Sequence, residues 1–200
     1  MKQFPLVDVL DSWKHSNLKR SSQLFLISLV AFYHERERGR GKTIDSNITQ
    51  EKAVYKVTLS EKEISTKFKF SIDTIINIRR DLEDKIDLVN NMVGFKAYKK
   101  KYELEHFSKP WIWKYQNCTI EYHFELSAQG KKIIYIPTKI VYDNNLLYSE
   151  KMALIWNLCL RERHGRRPKI KEIEKESGIT QRTIRKAKDK YPQFFSSVKV

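Results

Sequence analysis

The stretch of sequence that decides the fold is KIKEIEKESGITQRTIRKAKDK, residues 169–190. Ile170 and Ile173 recur at helical spacing shortly after Pro168, and proline suits the first turn of a helix. Gly178 follows this run, and glycine is the residue that most readily adopts the left-handed conformation at a helix end. The pattern therefore predicts a short helix that ends in a glycine turn.

A second helix is predicted directly after the glycine turn. Ile179 is the apolar residue of the turn, and Thr180 is a candidate N-cap for a helix that extends to about Tyr191. The apolar spacing predicts that Ile184 and Ala187 are buried together with Tyr191. The opposite face is polar and mostly basic, and it consists of Gln181, Arg182, Arg185 and Lys186.

A helix, a glycine turn and a second helix with a basic outer face can place the second helix in the major groove of DNA. Residues 171–186 resemble the helix-turn-helix core of many bacterial and phage DNA-binding proteins. In such a pose Arg182 and Arg185 suit guanine or phosphate, and Gln181 suits adenine. Two alternatives stay open: a three-helix domain that contacts protein, and a helix pair whose basic faces are only solvated. The predicted DNA contacts of this half are Arg166, Arg167, Lys169, Gln181, Arg182, Thr183, Arg185 and Lys186.

Similar signals occur in the first half of the chain. Ser60 and Glu63 have the spacing of a capping box, which predicts the start of a short helix. Ser71 is predicted to cap a longer helix over residues 72–85. The connecting sequence, residues 67–70, contains no glycine, which distinguishes this turn from the later one. The residues predicted to be buried in the longer helix are Ile75, Ile78 and Leu82.

Residues 86–105 follow this helix pair and are predicted to form two strands around a turn. Three helices followed by a β-hairpin is the order of a winged helix, and residues 21–105 resemble winged-helix domains throughout. The resemblance implies that lysines of the hairpin contact phosphate. The predicted DNA contacts of this half are Lys69, Asp73, Thr74, Asn77, Arg80, Lys96, Lys99, Lys100 and Lys101.

The predicted fold is mostly α with small β-hairpins, an α+β class, and contains two tandem winged-helix-like domains. Residues 1–20 are expected to form an N-terminal arm or helix, and residues 106–117 an aromatic linker. Residues 118–136 are predicted to form a β-hairpin, which belongs with the second helix-turn-helix in a domain over residues 118–200.

Three further expectations concern the ends of elements. Ser21 and Ser22 are predicted to cap a helix over residues 23–38. A helix that begins near residue 146 is predicted to end at His164-Gly165. The segment 192–200 is expected to form a single strand that pairs with the hairpin.

Composition points to a polyanionic partner. The net charge is +15 and the pI is about 9.7, so nucleic acid is the first candidate and an anionic membrane surface the second. No apolar run reaches the roughly 18 residues of a membrane span, and no secretion signal is evident, so we expect a cytoplasmic protein without membrane association. Cys118 and Cys159 are expected to be ordinary buried thiols of a reducing compartment.

No pattern of catalytic residues is evident. The five histidines are scattered, and none has zinc-ligand spacing to another histidine or a cysteine. Neither a Gly-x-Ser-x-Gly motif nor a paired-aspartate motif for two-metal chemistry occurs. We therefore expect a protein that is not an enzyme and that needs no metal or cofactor.

The tandem units resemble those of replication initiators and replisome-organiser proteins of plasmids and phages. This resemblance implies a sequence-specific double-stranded DNA-binding protein, with a replicative helicase or another replication protein as a further partner. A transcriptional regulator is the alternative within this class, and a non-catalytic adaptor for a helicase or polymerase is the alternative outside it. Single-stranded DNA could stack on Trp111, Trp113 and Tyr115, and a homodimer stays open.

Overall fold

The structure is a computed structural model that describes residues 2–15, 17–41, 47–85, 96–99 and 119–196. Within these residues it contains eight α-helices and two small antiparallel sheets, which confirms the predicted α+β class. The elements in chain order are β1 (Gln3–Val7), α1 (Leu10–His15), α2 (Arg20–Gly39), β2 (Lys52–Ser60), α3 (Glu61–Phe68), α4 (Ile72–Lys85), β3 (Lys96–Lys99), β4 (Thr119–Ser127), β5 (Ile133–Pro137), α5 (Thr138–Tyr142), α6 (Tyr148–His164), α7 (Ile170–Ser177) and α8 (Gln181–Lys190).

The larger sheet belongs to the first helix pair, α3 and α4. Its strand order is β2-β4-β3, and both pairings are antiparallel. Tyr55 and Phe124 lie opposite each other on β2 and β4, and their rings stack with centroids 4.9 Å apart. Alternate residues of both strands are buried, so one face of the sheet packs on the core.

The smaller sheet joins the N-terminal strand to a strand that directly precedes the helices of the second half. Strand β1 pairs antiparallel with β5, with Gln3 opposite Pro137 and Val7 opposite Ile133. Residues 1–20 are predicted to form an arm or a helix, and the helical alternative is wrong for residues 3–7, which form β1 with four buried positions in succession. Only the short helix α1 follows.

The predicted hairpin over residues 118–136 is also wrong. Both of its strands exist, as β4 and β5, but β4 pairs with β2 and β3, and β5 pairs with β1. Residues between the strands do turn, and Gly130 has a positive φ of 67°. A local turn does not decide pairing when each strand has a longer-range partner that buries more apolar surface.

The strand expected over residues 192–200 is wrong for residues 192–196, and the rest of that segment lies outside the described residues. Residues Pro192–Phe194 form a 3₁₀ turn, and Phe194 and Phe195 are 3% and 2% exposed. Asn157 of α6 donates a hydrogen bond from Nδ2 to the Phe194 carbonyl oxygen at 2.8 Å. The tail is therefore held by two buried aromatic rings and by one buried hydrogen bond to α6.

Helix α2 packs against elements of both halves of the chain. The ring of Phe25, on α2, contacts the rings of Phe70 and Tyr122 edge to face, and its centroid lies 5.9 Å and 5.5 Å from theirs. On other faces α2 packs against β1, α5 and α6, and the buried apolar residues that the structure describes form one continuous cluster. The two predicted domains thus share a core.

The predicted cap of α2 is corrected by the structure. The helix begins at Arg20, and Ser22 lies inside it rather than before it. The Ser22 hydroxyl is buried and donates a hydrogen bond to the Asp81 carboxylate of α4 at 2.6 Å. Ser22, which the sequence suggests as a cap, instead joins α2 to α4.

Candidate nucleic-acid interface

The turn of the second helix pair, α7 and α8, has the geometry that its sequence predicts. Gly178 follows α7 with φ at +65°, in the left-handed region. Its N–H donates to the Glu174 carbonyl oxygen at 2.8 Å, and Ile179 is 1% exposed. The glycine turn and its apolar residue are therefore confirmed.

Helix α8 buries one face and anchors its C-terminal end. Ile184 and Ala187 are fully buried, and α8 packs on α6. The Lys190 ammonium forms an ion pair with Glu150 at 2.7 Å and donates to the Asn145 carbonyl oxygen at 2.8 Å. These contacts fix the rotation of α8 about its own axis and so decide which residues face solvent.

Tyr191 adds a second anchor at the same end. Its hydroxyl donates to the Asp143 carboxylate, and its ring stacks on Phe194 with centroids 5.6 Å apart. Burial, followed by the hydrogen bond to Asp143, raises the pKa of Tyr191 to about 12. The hydroxyl therefore stays protonated and continues to donate at neutral pH.

The solvent-facing side of α8 presents three cationic groups. Arg182, Arg185 and Lys186 are exposed. Arg182 and Lys186 have no ion-pair or hydrogen-bond partner in the described part of the chain. Arg185 makes one long hydrogen bond, 3.4 Å from Nη2 to the Gln181 side-chain oxygen. We call these three residues the α8 basic face. It can contact a polyanion without breaking an ion pair.

Gln181 and Thr183 are less available than the sequence suggests. The Gln181 side-chain amide donates to the Glu174 carboxylate at 2.6 Å, and its backbone N–H points to the same carboxylate at 3.3 Å. Thr183 is half-buried, and its hydroxyl lies 3.1 Å from that of Thr180. Thr180 occupies the predicted N-cap position, but its side chain makes no capping hydrogen bond. Gln181 would have to leave Glu174 before it could bind adenine.

Three further predicted contacts lie before α7. Arg166, Arg167 and Lys169 are all exposed. Arg166 is bound in bidentate fashion by the Glu172 carboxylate, at 2.7 Å and 3.0 Å. The hydrogen bonds from Arg166, and then from the Lys169 backbone N–H, lower the pKa of Glu172 to about 2. Part of this positive charge is therefore already neutralised within the chain.

The first helix pair repeats the same local design without a glycine. Ser60 and Glu63 form the predicted capping box, with hydrogen bonds of 2.7 Å and 3.1 Å. Lys69 takes the left-handed conformation, with φ at +60° and ψ at 29°. The Ser71 hydroxyl accepts from the Thr74 N–H at 3.1 Å, as predicted for the cap of α4.

The outer face of α4 carries less net charge than the α8 basic face. Asp73, Asn77 and Arg80 are exposed, and Thr74 is half-buried with its hydroxyl 2.7 Å from that of Ser71. Lys69 is exposed at the turn. The face therefore combines one carboxylate, Asp73, with two cations, Arg80 and Lys69. Such a face suits contacts to both bases and phosphate better than contacts to phosphate alone.

The remaining predicted contacts lie largely outside the described residues. Lys96 and Lys99 are placed by backbone only, in β3, which pairs with β4. Lys100 and Lys101 of the predicted wing lie outside the described ranges, as do Trp111, Trp113 and Tyr115 of the predicted linker.

Sequence reasoning missed two contacts that connect the helix pairs. Arg20, the first residue of α2, donates from Nη2 to the Gly178 carbonyl oxygen. Tyr148, the first residue of α6, donates its hydroxyl to the Lys69 carbonyl oxygen at 2.7 Å. Both acceptors are backbone atoms, so the sequence contains no complementary charge or spacing that could have indicated the partners.

A mixed-charge cavity of about 320 Å³ lies away from these turns, between the β1–α1 connection and the end of α6. Arg163 binds both Asp8 and Asp11 there, and these hydrogen bonds raise its pKa although burial acts in the opposite direction. Lys131 donates to the Ser12 hydroxyl at 2.9 Å. The charges satisfy one another, so we interpret the cluster as a structural clamp.

Neither a metal site nor a membrane-spanning helix is found among the described residues. They contain no group of three or more histidine, cysteine or carboxylate side chains arranged to hold a metal ion. None of the helices described is both long and apolar enough to cross a membrane. Cys159 is a free, fully buried thiol, as its sequence environment predicts.

Comparisons with known proteins do not assign a family. No protein-family model, no curated protein and no solved structure matches the chain.

Proposed function

We propose that this chain is a sequence-specific double-stranded DNA-binding protein built from two winged-helix-like units. The observation that carries the proposal is the α8 basic face: Arg182, Arg185 and Lys186 project from a helix whose other side is fully buried. A helix held in this way, after a tight left-handed turn, is the usual means of reading the major groove.

The order of elements in the first half supports this proposal. Within residues 21–105, helix α2, strand β2, the pair α3 and α4 and strand β3 follow the helix-then-strand order that the resemblance to a winged helix implies, and β3 pairs with β4, which lies beyond this span. In the second half, α6, α7 and α8 supply three helices, and the structure describes no strand after them as far as residue 196. The second unit thus has a reading helix without a described wing.

The chemistry of the α8 basic face suits both specificity and affinity. A guanidinium can bind guanine through two parallel hydrogen bonds, and each such pair discriminates against other bases by roughly 1–3 kcal/mol. Arginine and lysine also release counterions from phosphate, and the net charge of +15 adds a long-range attraction. We expect affinity to fall steeply as salt is raised.

Within this class we propose a role as replication initiator or replisome organiser of a mobile element. The support is the presence of two reading helices in one small basic chain, which allows one chain to hold two parts of an origin. The role is tested by asking whether a plasmid that carries the gene's flanking DNA replicates only when the chain is supplied. Repression of a promoter without replication would instead identify a transcriptional regulator.

Binding is tested by fluorescence anisotropy with a duplex from the gene's flanking DNA, a random duplex and a single strand, across salt. The variant Arg182→Ala/Arg185→Ala should lose at least about thirtyfold in affinity for the preferred duplex if each arginine contributes roughly 1 kcal/mol or more. The matched control is Lys2→Ala/Arg36→Ala, which removes the same charge from two exposed side chains near the far end of α2, where Arg38 donates to the Gln3 carbonyl oxygen. A 20-residue helix is about 30 Å long, so the control lies far from the Gly178 turn.

The two variants separate a specific site from general charge. Equal losses in both would show that only net charge matters, and the major-groove proposal would fail. If all three probes bind weakly and alike, and neither variant changes this, the helix pairs are protein-binding surfaces and the chain is an adaptor. Preference for the single strand would instead direct attention to Trp111, Trp113 and Tyr115.

A further inference from the structure

The two helix pairs hold each other through equivalent contacts. Arg20 is the first residue of α2, the leading helix of the first unit, and it donates to the carbonyl oxygen of Gly178 in the second unit. Tyr148 is the first residue of α6, the leading helix of the second unit, and it donates to the carbonyl oxygen of Lys69 in the first unit. We call these two hydrogen bonds the reciprocal latches.

The acceptors of the latches are equivalent as well. Lys69 and Gly178 both follow the second helix of their unit and both take the left-handed conformation, with φ at +60° and +65°. Each is the residue that sets the angle between that helix and the reading helix. A contact to its carbonyl oxygen therefore acts where the pose of the reading helix is decided.

Additional contacts strengthen each latch. The Tyr148 ring packs on Phe70 with centroids 4.7 Å apart. Beside the other latch, the Lys14 ammonium donates to the Lys175 carbonyl oxygen at 3.2 Å and lies 3.8 Å from the Glu176 carboxylate. Between the latches, α2 and α6 pack directly against each other. Both turns are therefore pinned by the opposite unit.

We propose that Arg20 and Tyr148 are positioning residues that lock the two reading helices, α4 and α8, into one dyad-related unit. The proposal rests on the proposed DNA-binding function. When residue i of one unit contacts residue j of the other, and the equivalent of i contacts the equivalent of j in return, the two units are related by an approximate two-fold axis. Here a single chain contains both units, so the axis is internal.

A fixed internal two-fold axis dictates the form of the DNA site. Because B-DNA has local two-fold axes of its own, a dyad-related pair of reading helices matches two half-sites in inverted orientation. The separation of the half-sites is set by the latches, and one chain occupies one duplex. An unlatched pair could follow half-sites at several separations.

The first test measures the lock without DNA. Spin labels at Asn77→Cys on α4 and Lys186→Cys on α8, in a Cys118→Ser background, report the distance between the reading helices; Cys159 is fully buried and is left in place. The parent and the control Arg36→Ala should give one narrow distance distribution. The variant Arg20→Ala/Tyr148→Phe should give a broad one, and Arg20→Lys should restore part of the order because lysine can also donate to the carbonyl.

Tyr148→Phe keeps the ring on Phe70 and removes only the hydrogen-bond donor, so we expect the variant to fold. Circular dichroism checks that its helix content is unchanged. An unchanged, narrow distribution in the double variant would overturn the assignment of Arg20 and Tyr148, whatever the chain binds.

The second test uses the duplex that the parent chain selects from a randomised pool. The expected site contains two inverted half-sites and binds one chain, and inserting five base pairs between them, about half a helical turn, should weaken binding at least a hundredfold. The double variant should lose less than about tenfold on the same insertion. A selected site with directly repeated halves, or equal tolerance of the insertion by parent and variant, would overturn the proposal. If no duplex is selected at all, the DNA-binding function fails. The spin-label distances still test whether Arg20 and Tyr148 hold α4 and α8 at a fixed separation.

Discussion

At the scale of single residues, Lys69 and Gly178 carry the same backbone task with different side chains. Both are left-handed, and both end the second helix of their unit. For a residue with a Cβ this conformation costs roughly 1–2 kcal/mol, and glycine avoids that cost. The missing glycine in residues 67–70 made the first turn look irregular in sequence, yet the structure shows the same turn with a lysine in it.

Substitutions at these two positions should measure the free-energy cost of the left-handed conformation. We expect Gly178→Ala to lower the free energy of unfolding by about 1 kcal/mol, partly through strain and partly because the new Cβ would lie 3.2 Å from Arg20 Nη2. Lys69→Gly should raise it by up to about 1 kcal/mol. Urea unfolding measures both. Gly39→Ala, where a Cβ meets nothing and φ is not positive, is the control and should not destabilise; an equal loss in Gly39→Ala and Gly178→Ala would contradict the interpretation.

The Arg166–Glu172 pair gives a pH-dependent prediction. The pKa of Glu172 is lowered to about 2 in the folded chain, against about 4.3 for a free glutamate. Its contribution to stability is therefore complete above about pH 4.3 and is lost as the pH falls toward 2. An NMR titration that follows the Glu172 carboxyl carbon should find a pKa near 2. In Arg166→Ala the pKa should move back toward that of a free glutamate, and a pKa unaffected by this variant would show that Arg166 is not its cause.

At the scale of elements, α3 and α4 are joined by a buried ion pair. Arg79 of α4 lies 2.7 Å from the Glu61 carboxylate of α3, and Glu61 is fully buried. Removing one partner of such a pair leaves an uncompensated charge away from water. The pair therefore fixes how the two helices meet, which places the outer face of α4.

Breaking this pair should be costly. Glu61→Gln should destabilise the chain by about 3–5 kcal/mol, because Arg79 then lacks a carboxylate in a buried setting. Glu125→Gln breaks the more exposed pair between Lys52 and Glu125 and should cost less than about 1 kcal/mol. Thermal and urea unfolding of both variants provide the comparison, and similar small losses in the two would mean that water reaches Arg79.

The elements that the sequence predicted well are those with local causes. Helices α4, α7 and α8 follow from their apolar spacing, from the Ser71 cap of α4 and from the left-handed turn residue between α7 and α8, and each of these signals lies within a few residues of its helix. The outward direction of Arg182 and Lys186 follows from the same spacing, because the buried positions of a helix determine the exposed ones.

The elements that were predicted wrongly depend on partners far along the chain. Residues 3–7 have apolar spacing that suits either a helix side or a buried strand, and only β5 decides between them. The predicted hairpin over residues 118–136 is wrong for the same reason, since β4 pairs with β2 and β5 pairs with β1. The Gln181–Glu174 bond and the reciprocal latches also depend on the assembled fold, so no local signal could have placed them.

At the scale of the whole molecule, the two units share one apolar cluster through α2. A chain with one core and direct packing between its units should unfold as one cooperative system. We expect a single calorimetric transition whose enthalpy equals the van't Hoff enthalpy. Two separated transitions, or independent folding of residues 1–105, would contradict the shared core.

The pairing of β1 with β5 has a consequence for how the protein is made. Gln3 lies opposite Pro137, so β1 has no partner until residues 8–132 and then β5 have been synthesised. At about 5–20 residues per second this interval lasts on the order of ten seconds. During that time Phe4, Leu6 and Val7, all fully buried in the finished fold, are open to water and to other nascent chains. Strand β1 is therefore translated long before β5 can cover it, and slow synthesis of the residues between the two strands prolongs its exposure.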